Sequence, residues 1–540
     1  MTGTVTVPSP PLDLSATQRL HVVGVGGPGM SAIGIVLAEM GHQVSGSDIR
    51  ERSVLDRVRT AGVVVNVGHD RAVVHGADAV TASSAIPATN VEIDEARATG
   101  VTVLRRAGML ASICAMAKSV AVAGTHGKTT TTSMLMRILA EAGLRPNFII
   151  GGDVADIGTG AEWTGGEWLV VEADESDGTH LELPLHGTIL TNVEADHLDH
   201  FGTAEAIVDS FRRYLAQIPG PKILCADDPV CRTLASELGR DDHASNDVIN
   251  DVSNDVINDV INDVINHVSN DVINDVITYG IAGAPDMTPD MTPGMTPGMT
   301  PGMTPDVIAD QIEAGHGEMR FRVRTRQGVL GHVRLPLRGR HNVLNATAAL
   351  TMAGAIGVPF DVAAAALGKF GGVARRFDIR GHAGGATLVD DYAHLPTEIA
   401  VVMAAASTSG DGWTRRIAVF QPNRYNRMSE LSPEYADAFV DADVVVITEI
   451  YASGTTPIPG VTGKLVVNAV TEAHPRARVV WLPHRSDLVD FVAAELRPGD
   501  VCVSMGCGDI ESFPDEVVRR FHELRGGAPL GALRHESAAV

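Results

Sequence analysis

The chain has 540 residues, with 66 Asp and Glu against 42 Lys and Arg, a formal net charge of −24. That acidity argues against sequence-independent binding to nucleic acid or anionic lipid, since both present phosphate to the protein. A small anionic ligand remains compatible, held by a local loop or a helix N-terminus. Apolar residues make up 44% and aromatics only 4%, so Ala, Val, Ile and Leu must fill the cores, which suits α/β domains built on buried parallel strands.

The five cysteines (Cys114, Cys225, Cys231, Cys502, Cys507) are odd in number and none is spaced CxxC. Neither a disulfide framework nor a zinc site is indicated, and a reducing, cytoplasmic setting fits. No apolar run has the length that spans a bilayer. The N-terminal stretch lacks the basic-then-apolar pattern of a signal peptide, and residues 1–19 are expected to form a flexible leader.

In chain order, a strand is predicted at HVVGVGG from His21, then a helix over MSAIGIVLAEMG and a strand over HQVSGSD ending at Asp48. Further strands at VVVNVG, DAVTASSAI and VTVLRR, with a helix around VEIDEARATG, complete a doubly wound parallel pattern over 20–115. A second domain, 116–370, opens with strand KSVAVAG, a glycine loop and helix TTSMLMRILAEAG, followed by strands EWLVVEAD and GTILTNVEAD. Two low-complexity insertions interrupt it, NDVI-type units over 243–277 and MTPG or MTPD units over 284–306. Proline in every second-type unit excludes a continuous helix or central strand, and both read as surface-loop expansions. A third domain, 371–525, carries strands ATLVDDY, RRIAVFQP, DVVVITEIY, RVVWLP and DVCVSMGCG between Ala-rich helices, and 526–540 reads as a flexible tail. The fold class is therefore α/β with three domains.

Two glycine loops carry the chemistry. GVGGPGMS, Gly24–Ser31, sits between strand and helix and suits a turn that offers backbone N–H groups to a diphosphate, with Asp48 placed to meet a ribose or base. A further glycine, Gly27, fills one of the variable positions of the G-x-G-x-x-G pattern of dinucleotide folds, giving G-x-G-G-x-G. GTHGKTTT, Gly124–Thr131, also joins strand to helix, but Gly124 and Gly127 are closer than in the common phosphate loop. Lys128 could neutralise phosphate charge there, and the Thr129 hydroxyl could ligate Mg²⁺. EADESD (Glu172–Asp177) and NVEADHLDH (Asn192–His200) follow the next two strands. Carboxylates at the carboxyl ends of strands face the crevice in which α/β proteins bind ligands.

GTHGKTTT, EADESD, TNVEADHLD, GRHNVLNATAAL, ARRFD, DDYAHLPTE and FQPNRYNR follow one another as in the Mur ligase family, and the chain resembles that family outside the repeats. The resemblance implies a Rossmann-like UDP-sugar domain, a central P-loop ATPase domain and a C-terminal Rossmann-like domain that closes on ATP. It implies that Gly124, Thr125, His126, Gly127, Lys128, Thr129 and Thr130 hold ATP phosphates, with Thr129, Glu172 and His197 at Mg²⁺. Asn342 and Asn345 match adenine-contacting positions, Arg375 and Arg376 phosphate-approaching arginines. Asp391, Tyr392, His394, Arg424, Tyr425 and Arg427 match the ATP and amino-acid region, with Lys128, His394, Arg424 and Arg427 as candidate catalytic groups. Gly24, Gly26, Gly27, Gly29, Asp48, His69, Ser83 and Ser84 match the UDP-sugar site. The implied reaction joins L-alanine to the carboxylate of UDP-N-acetylmuramate through an acyl phosphate, with ATP and Mg²⁺, and leaves the oligomeric state open.

Two positions depart from the family pattern: Leu395 stands where a second His is usual, and Asn423 where a His is common. An asparagine hydrogen-bonds but takes no proton near neutral pH. Thr455–Pro457 also differs from the expected Glu/Ala-containing sequence. The alternatives are a ligase that joins the same UDP-sugar to a preformed peptide, against which Ser176 speaks, an NAD(P) oxidoreductase resting on the first glycine loop alone, and a non-catalytic UDP-sugar-binding homologue.

Overall fold

The computed structural model describes residues 11–83, 85–194, 201–245, 276–282 and 304–525. By contacts the chain divides into two compact units. The first comprises Met1–Ile312, Arg320–Leu335 and Asn342–Gly371; the second comprises Glu313–Met319, Pro336–His341 and Gly372–Val540.

The first unit opens with a five-stranded parallel sheet: β1 (Arg19–Val23), β2 (Gln43–Asp48), β3 (Val64–Val67), β4 (Ala79–Ala82) and β5 (Thr102–Arg105), in the order β3-β2-β1-β4-β5. β1 is buried from Leu20 to Val23, because a parallel strand at the centre of a sheet is covered on both faces. The chain reverses direction of travel at β1, so the loops after β1 and β4 splay apart and open a crevice at their carboxyl ends. The expected leader 1–19 needs correction at its end. Leu14 is 3% exposed, the Leu12 N–H donates to Ser112 Oγ, and Arg19 is already in β1; an apolar side chain with a place in the core ties this segment down.

The second sheet has ten strands: β6 (Lys118–Ala123), β7 (Asn147–Val154), β8 (Thr159–Glu162), β9 (Trp168–Glu172), β10 (Gly187–Leu190), β11 (Lys222–Cys225), β12 (Val276–Ile281), β13 (Val307–Gly315), β14 (Glu318–Thr325) and β15 (Gly328–Leu335). Their order is β15-β14-β13-β12-β11-β10-β6-β9-β7-β8. β6 lies between β9 and β10, parallel to both. The expected insertion limits 243–277 and 284–306 are too wide. The helix Pro229–Ser245 continues to Ser245, and Val276 and Ile277 are the first residues of β12, parallel to β11. Asp306 belongs to the sheet's margin: its N–H donates to the Thr278 carbonyl, and its carboxylate accepts from the Thr278 hydroxyl. The Val-Ile pair of the last NDVI unit is apolar enough to extend a strand, and its position beside β11 uses it. The remaining repeat residues lie outside the described residues.

The main body of the second unit is a six-stranded sheet: β16 (Asp378–Ala383), β17 (Ala386–Asp391), β18 (Arg415–Phe420), β19 (Val444–Ile447), β20 (Val479–Trp481) and β21 (Asp500–Met505), ordered β16-β17-β21-β18-β19-β20. All neighbours are parallel except β16 with β17. One core packs Ile399, Met403, Tyr435 and Val466 against one face, the other packs Leu488, Val492, Val517 and Phe521 against the opposite face. Phe420 in β18 is fully buried and stacks on Tyr435 at a centroid separation of 5.4 Å. Phe420→Ala should lower unfolding free energy by about 3–5 kcal/mol, read as a shift of the denaturant midpoint.

Candidate functional site

The loop between β6 and the helix Lys128–Glu141 is shaped by two glycines that no other residue replaces without strain. Gly124 has φ +117°, and a Cβ there would come within 2.7 Å of the Asn192 carbonyl oxygen; Gly127 has φ +81°, and a Cβ there would lie 2.6 Å from Asn345 Oδ1. Both positive angles lie where L side chains are disfavoured. The loop is braced by the segment after β10. Thr125 N–H donates to the Asn192 carbonyl at 3.0 Å, His126 N–H to Asn192 Oδ1 at 2.8 Å, and Thr191 Oγ1 to the His126 carbonyl at 2.6 Å. Glu194 N–H donates to Thr125 Oγ1, and the Glu194 carboxylate lies 3.1 Å from His126 Nε2. Asn345 donates through Nδ2 to Asn342 Oδ1 at 3.2 Å, which sets this asparagine pair directly beside Gly127.

Lys128 opens the helix, and Thr129 and Thr130 follow in its first turn, both 7% exposed. Lys128 Nζ donates to both oxygens of Glu175, at 2.9 and 3.0 Å, and to the Gly124 and Thr125 carbonyls. Burial works against its charge, but Glu175, Asp174 and Glu172 together hold its pKa above the usual lysine value. Glu172 ends β9 and accepts from the Gly151 N–H at 2.7 Å. Arg106 reaches the same acidic loop, donating to Asp177 at 2.9 Å and Asp174 at 3.3 Å. His197 and Ser84 lie outside the described residues. No group of three His, Cys, Asp or Glu suited to a metal ion occurs among the described residues.

The first sheet gathers the other glycine loop. Gly24 N–H and Val25 N–H donate to the Ser47 carbonyl, and Gly26 N–H donates to Asp48 Oδ2 at 2.9 Å. Asp48, 6% exposed, also accepts from Arg50 N–H, so its carboxylate shapes the turn from below. Gly27 begins the helix Pro28–Glu39 as its cap, and Gly29 faces Arg106, whose Nη1 would sit 3.3 Å from a Cβ. Ser83 follows β4 and accepts from Ala85 N–H. His69 Nδ1 stands 3.2 Å from both Ser47 Oγ and Glu92 Oε2. Ser47 already donates to Glu92 at 2.6 Å, so the proton between them belongs to His69 Nδ1. Glu92 is fully buried, with His21 Nε2 3.4 Å away.

In the second unit, the groups cluster at the carboxyl ends of β17, β18 and β21. Arg375, with φ +62°, donates to Asp390 at 2.9 Å and to the Gly506 carbonyl at 2.7 Å and pairs with Glu511. Its guanidinium is therefore engaged within its own sheet. Arg376 lies over the Tyr392 ring, 5.1 Å from the centroid. Asp391 accepts from Phe377 N–H and Ala393 N–H, both at 2.7 Å; burial pushes its carboxyl up to about 6, against the pull of Arg376. His394 Nδ1 faces two acceptors, the Tyr392 carbonyl at 3.1 Å and Glu398 Oε2 at 3.2 Å, which places the proton on Nδ1. Leu395, 6% exposed, caps the helix Pro396–Thr408, and its N–H donates to Glu398. Arg424, with φ +60°, donates its N–H to the Tyr451 carbonyl. Asn423, 2% exposed, accepts from Arg427 Nη1 at 3.0 Å. Thr455 Oγ1 accepts from Tyr425 N–H, so the departure at Thr455 supplies a cap for the helix Tyr425–Leu431. A cavity of about 500 Å³ opens alongside, lined by Gln421, Glu449, Tyr451, Ser453, Arg485 and Asp509 among others.

Three family models match: "Mur ligase family, catalytic domain" over residues 19–118, "Mur ligase middle domain" over 122–251, and "Mur ligase, glutamate ligase domain" over 375–508. The chain belongs to the Mur ligase family. Among curated Mur ligases, the UDP-N-acetylmuramate–L-alanine ligase of Pelotomaculum thermopropionicum is 37% identical over 94% of this chain and 98% of its own length. Those of Rubrobacter xylanophilus and Acidothermus cellulolyticus are 38% and 39% identical, covering 93% and 94% of this chain and 100% and 96% of theirs. Among solved structures, a UDP-N-acetylmuramate-alanine ligase of Thermotoga maritima shares the fold with a TM-score of 0.71 at 24% identity, covering 94% of this chain and 100% of that one. A murein peptide ligase of Psychrobacter arcticus does so at 0.60 and 23%, covering 93% and 98%.

Within this Mur ligase, five contributors have no role that the sequence alone assigns. Glu175 lies inside the quoted EADESD, Thr191 and Asn192 inside TNVEADHLD, and Arg106 at the end of VTVLRR; each was visible as a residue, but its partner is distant in sequence. Glu92 stands in a helix whose acidic first turn reads as solvated, and its burial alone distinguishes it. Gly127→Ala should lower nucleotide affinity on the order of tenfold or more, because the backbone strain and the Asn345 contact act together; isothermal titration with ADP measures it. The acidic loop ends at His180, 1% exposed and packed against Phe211 and Tyr214, where burial pushes its pKa from 6.5 down to about 4. The unfolded chain takes up that proton first, so stability is lost as pH falls from about 6.5 towards about 4. His180→Phe should flatten this part of the melting-temperature profile.

Proposed function

We infer that this chain is an ATP-dependent ligase that joins L-alanine to the carboxylate of UDP-N-acetylmuramate, in the synthesis of peptidoglycan precursors. The observation that carries this reading is the compact Gly124–Gly127 bend with Lys128, Asn342 and Asn345 gathered around it, in a chain closely related over its length to curated UDP-N-acetylmuramate–L-alanine ligases. The substrate's lactyl carboxylate attacks the γ-phosphorus of ATP, giving an acyl phosphate and ADP; the amine of L-alanine then attacks the carbonyl carbon and phosphate leaves. Two anions must meet in the first step, so the protein's work is positioning and charge neutralisation.

Gly124 to Thr130 hold the phosphates, Lys128 offsets their charge, and the asparagine pair meets the adenine. The turn at Gly24–Gly29, with Asp48, His69, Ser83 and Ser84, takes the UDP-sugar. The Thr129 hydroxyl, in the first turn of its helix, and the Glu172 carboxylate, at the end of β9 before Asp174 and Glu175, are hard oxygen donors of the kind that fits Mg²⁺. His197 would complete the set. When bound, the ion supplies charge neutralisation at phosphate oxygens. Arg424 or Arg427 pairs with the alanine carboxylate, for which a guanidinium fork is suited, and His394 stands in the same cluster. Domains 20–115, 116–370 and 371–525 divide these tasks.

The test is phosphate release from ATP with Mg²⁺, UDP-N-acetylmuramate and a panel of single amino acids. Release with L-alanine is expected; release only with a tripeptide would move the assignment to a peptide-joining ligase. Lys128→Ala should reduce turnover by roughly 10²–10³-fold while UDP-sugar binding persists, and a fully active variant would overturn the role of the loop.

A further inference from the structure

An ammonium has three protons to give. Around Lys128 Nζ stand three acceptor groups: the Glu175 carboxylate at 2.9 and 3.0 Å, the Gly124 carbonyl at 2.5 Å and the Thr125 carbonyl at 3.2 Å. These partners match its donor capacity. A phosphoryl oxygen that is to receive a hydrogen bond from Nζ must therefore take the place of one of them. The two carbonyls belong to the backbone of the glycine loop, which the Asn192 contacts hold in place, whereas the Glu175 contact is made by a side chain. The carboxylate is the partner that can be exchanged.

Glu175 is not a surface carboxylate that happens to find a cation. Its side chain is 5% exposed and that of Lys128 17%. The loop bearing it is fixed on both sides. Asp174 accepts from Ser176 N–H at 3.0 Å, Gly178 N–H donates to the Glu175 carbonyl at 3.1 Å, and Asp177 accepts from Thr179 N–H. Arg106 pins Asp174 and Asp177 from the helix Arg106–Cys114. A buried carboxylate so placed keeps the ammonium charged, extended and out of bulk water before any nucleotide arrives.

We propose that Glu175 is a positioning residue that occupies Lys128 in the nucleotide-free enzyme and gives it up to the phosphates of the incoming nucleotide. The proposal rests on the reading of GTHGKTTT as the ATP loop. Glu175 then acts as a competitor built into the site: it orients the lysine, and nucleotide binding proceeds against it. This reverses the usual expectation for an ion pair. Removing a merely structural partner loosens ligand binding, whereas removing a competitor tightens it.

The full-length protein, its Glu175→Gln and Glu175→Asp variants and Lys128→Ala would each be titrated with ADP by calorimetry. Glu175→Gln should bind ADP roughly threefold to tenfold more tightly than the parent, with Glu175→Asp between the two. Unchanged or weaker binding by a Glu175→Gln variant that melts as the parent does would overturn the proposal. A second measurement needs no variant. A zero-length carbodiimide should join Lys128 to Glu175 in the nucleotide-free protein, detected by peptide mass spectrometry, and saturating ADP should suppress the link. A link that persists undiminished in ADP would also overturn it. Lys128→Ala separates the two levels: undiminished ADP binding by that variant defeats the ATP-loop assignment itself, while weakened binding there with an unresponsive Glu175→Gln defeats only the exchange.

Discussion

A primary ammonium largely shut away from water has to be neutralised where it stands. The first unit is organised around that requirement. Lys128 can lie at the mouth of its helix because β9, parallel to β6, delivers an acidic loop to the same edge, and β10 on the other flank delivers the bracing segment Thr191–Glu194. Neither flank is near Lys128 in sequence. Only a sheet with β6 in the middle brings them together, and the Val- and Ala-rich strands buried on both faces are what make that order stable.

The second unit solves a related problem with fixed charges. Arg375 is committed to Asp390 and Gly506, and its neighbour Arg376 lies over the Tyr392 ring. Both arginines of ARRFD flank the Tyr392 ring, and Arg375 in addition holds the sheet's edge together. Asn423 performs a comparable service for Arg427. A neutral amide holds that guanidinium with an orientation that does not change as the solution pH crosses the range in which an imidazole would titrate. At this position, where the family resemblance leads one to expect a His, the chain thus carries a contact that does not titrate.

Much of this was legible in the sequence. Strand, glycine loop and helix coincide at Gly24 and Gly124 because a turn that passes through positive φ needs glycine there, and such a need leaves a mark in the residues. What was not legible was of two kinds. The strands β12 to β15 do not stand out in the sequence because the first begins in the last unit of a repeat and the others intersperse apolar residues with Arg, Asp, Glu and Gly, a pattern less distinct than the unbroken apolar runs of the buried strands. The partners Glu175, Arg106 and Glu92 were missed in their roles because a carboxylate or guanidinium earns its function from what it faces, and spacing along the chain does not reveal that. The leader's docking through Leu14 has the same origin: a single apolar residue in a polar stretch predicts no contact until the core it enters is known.

The left-handed glycines at Gly24, Gly124 and Gly127 also bear on how the gene can change. Every amino acid one nucleotide away from a glycine codon carries a Cβ, and each would meet the same disfavoured backbone angle and, at Gly124 and Gly127, an occupied space. An inhibitor seated against these bends would therefore face a target with few single-step routes to resistance there, since a mutation at the glycines that dislodged the drug would also distort the turn.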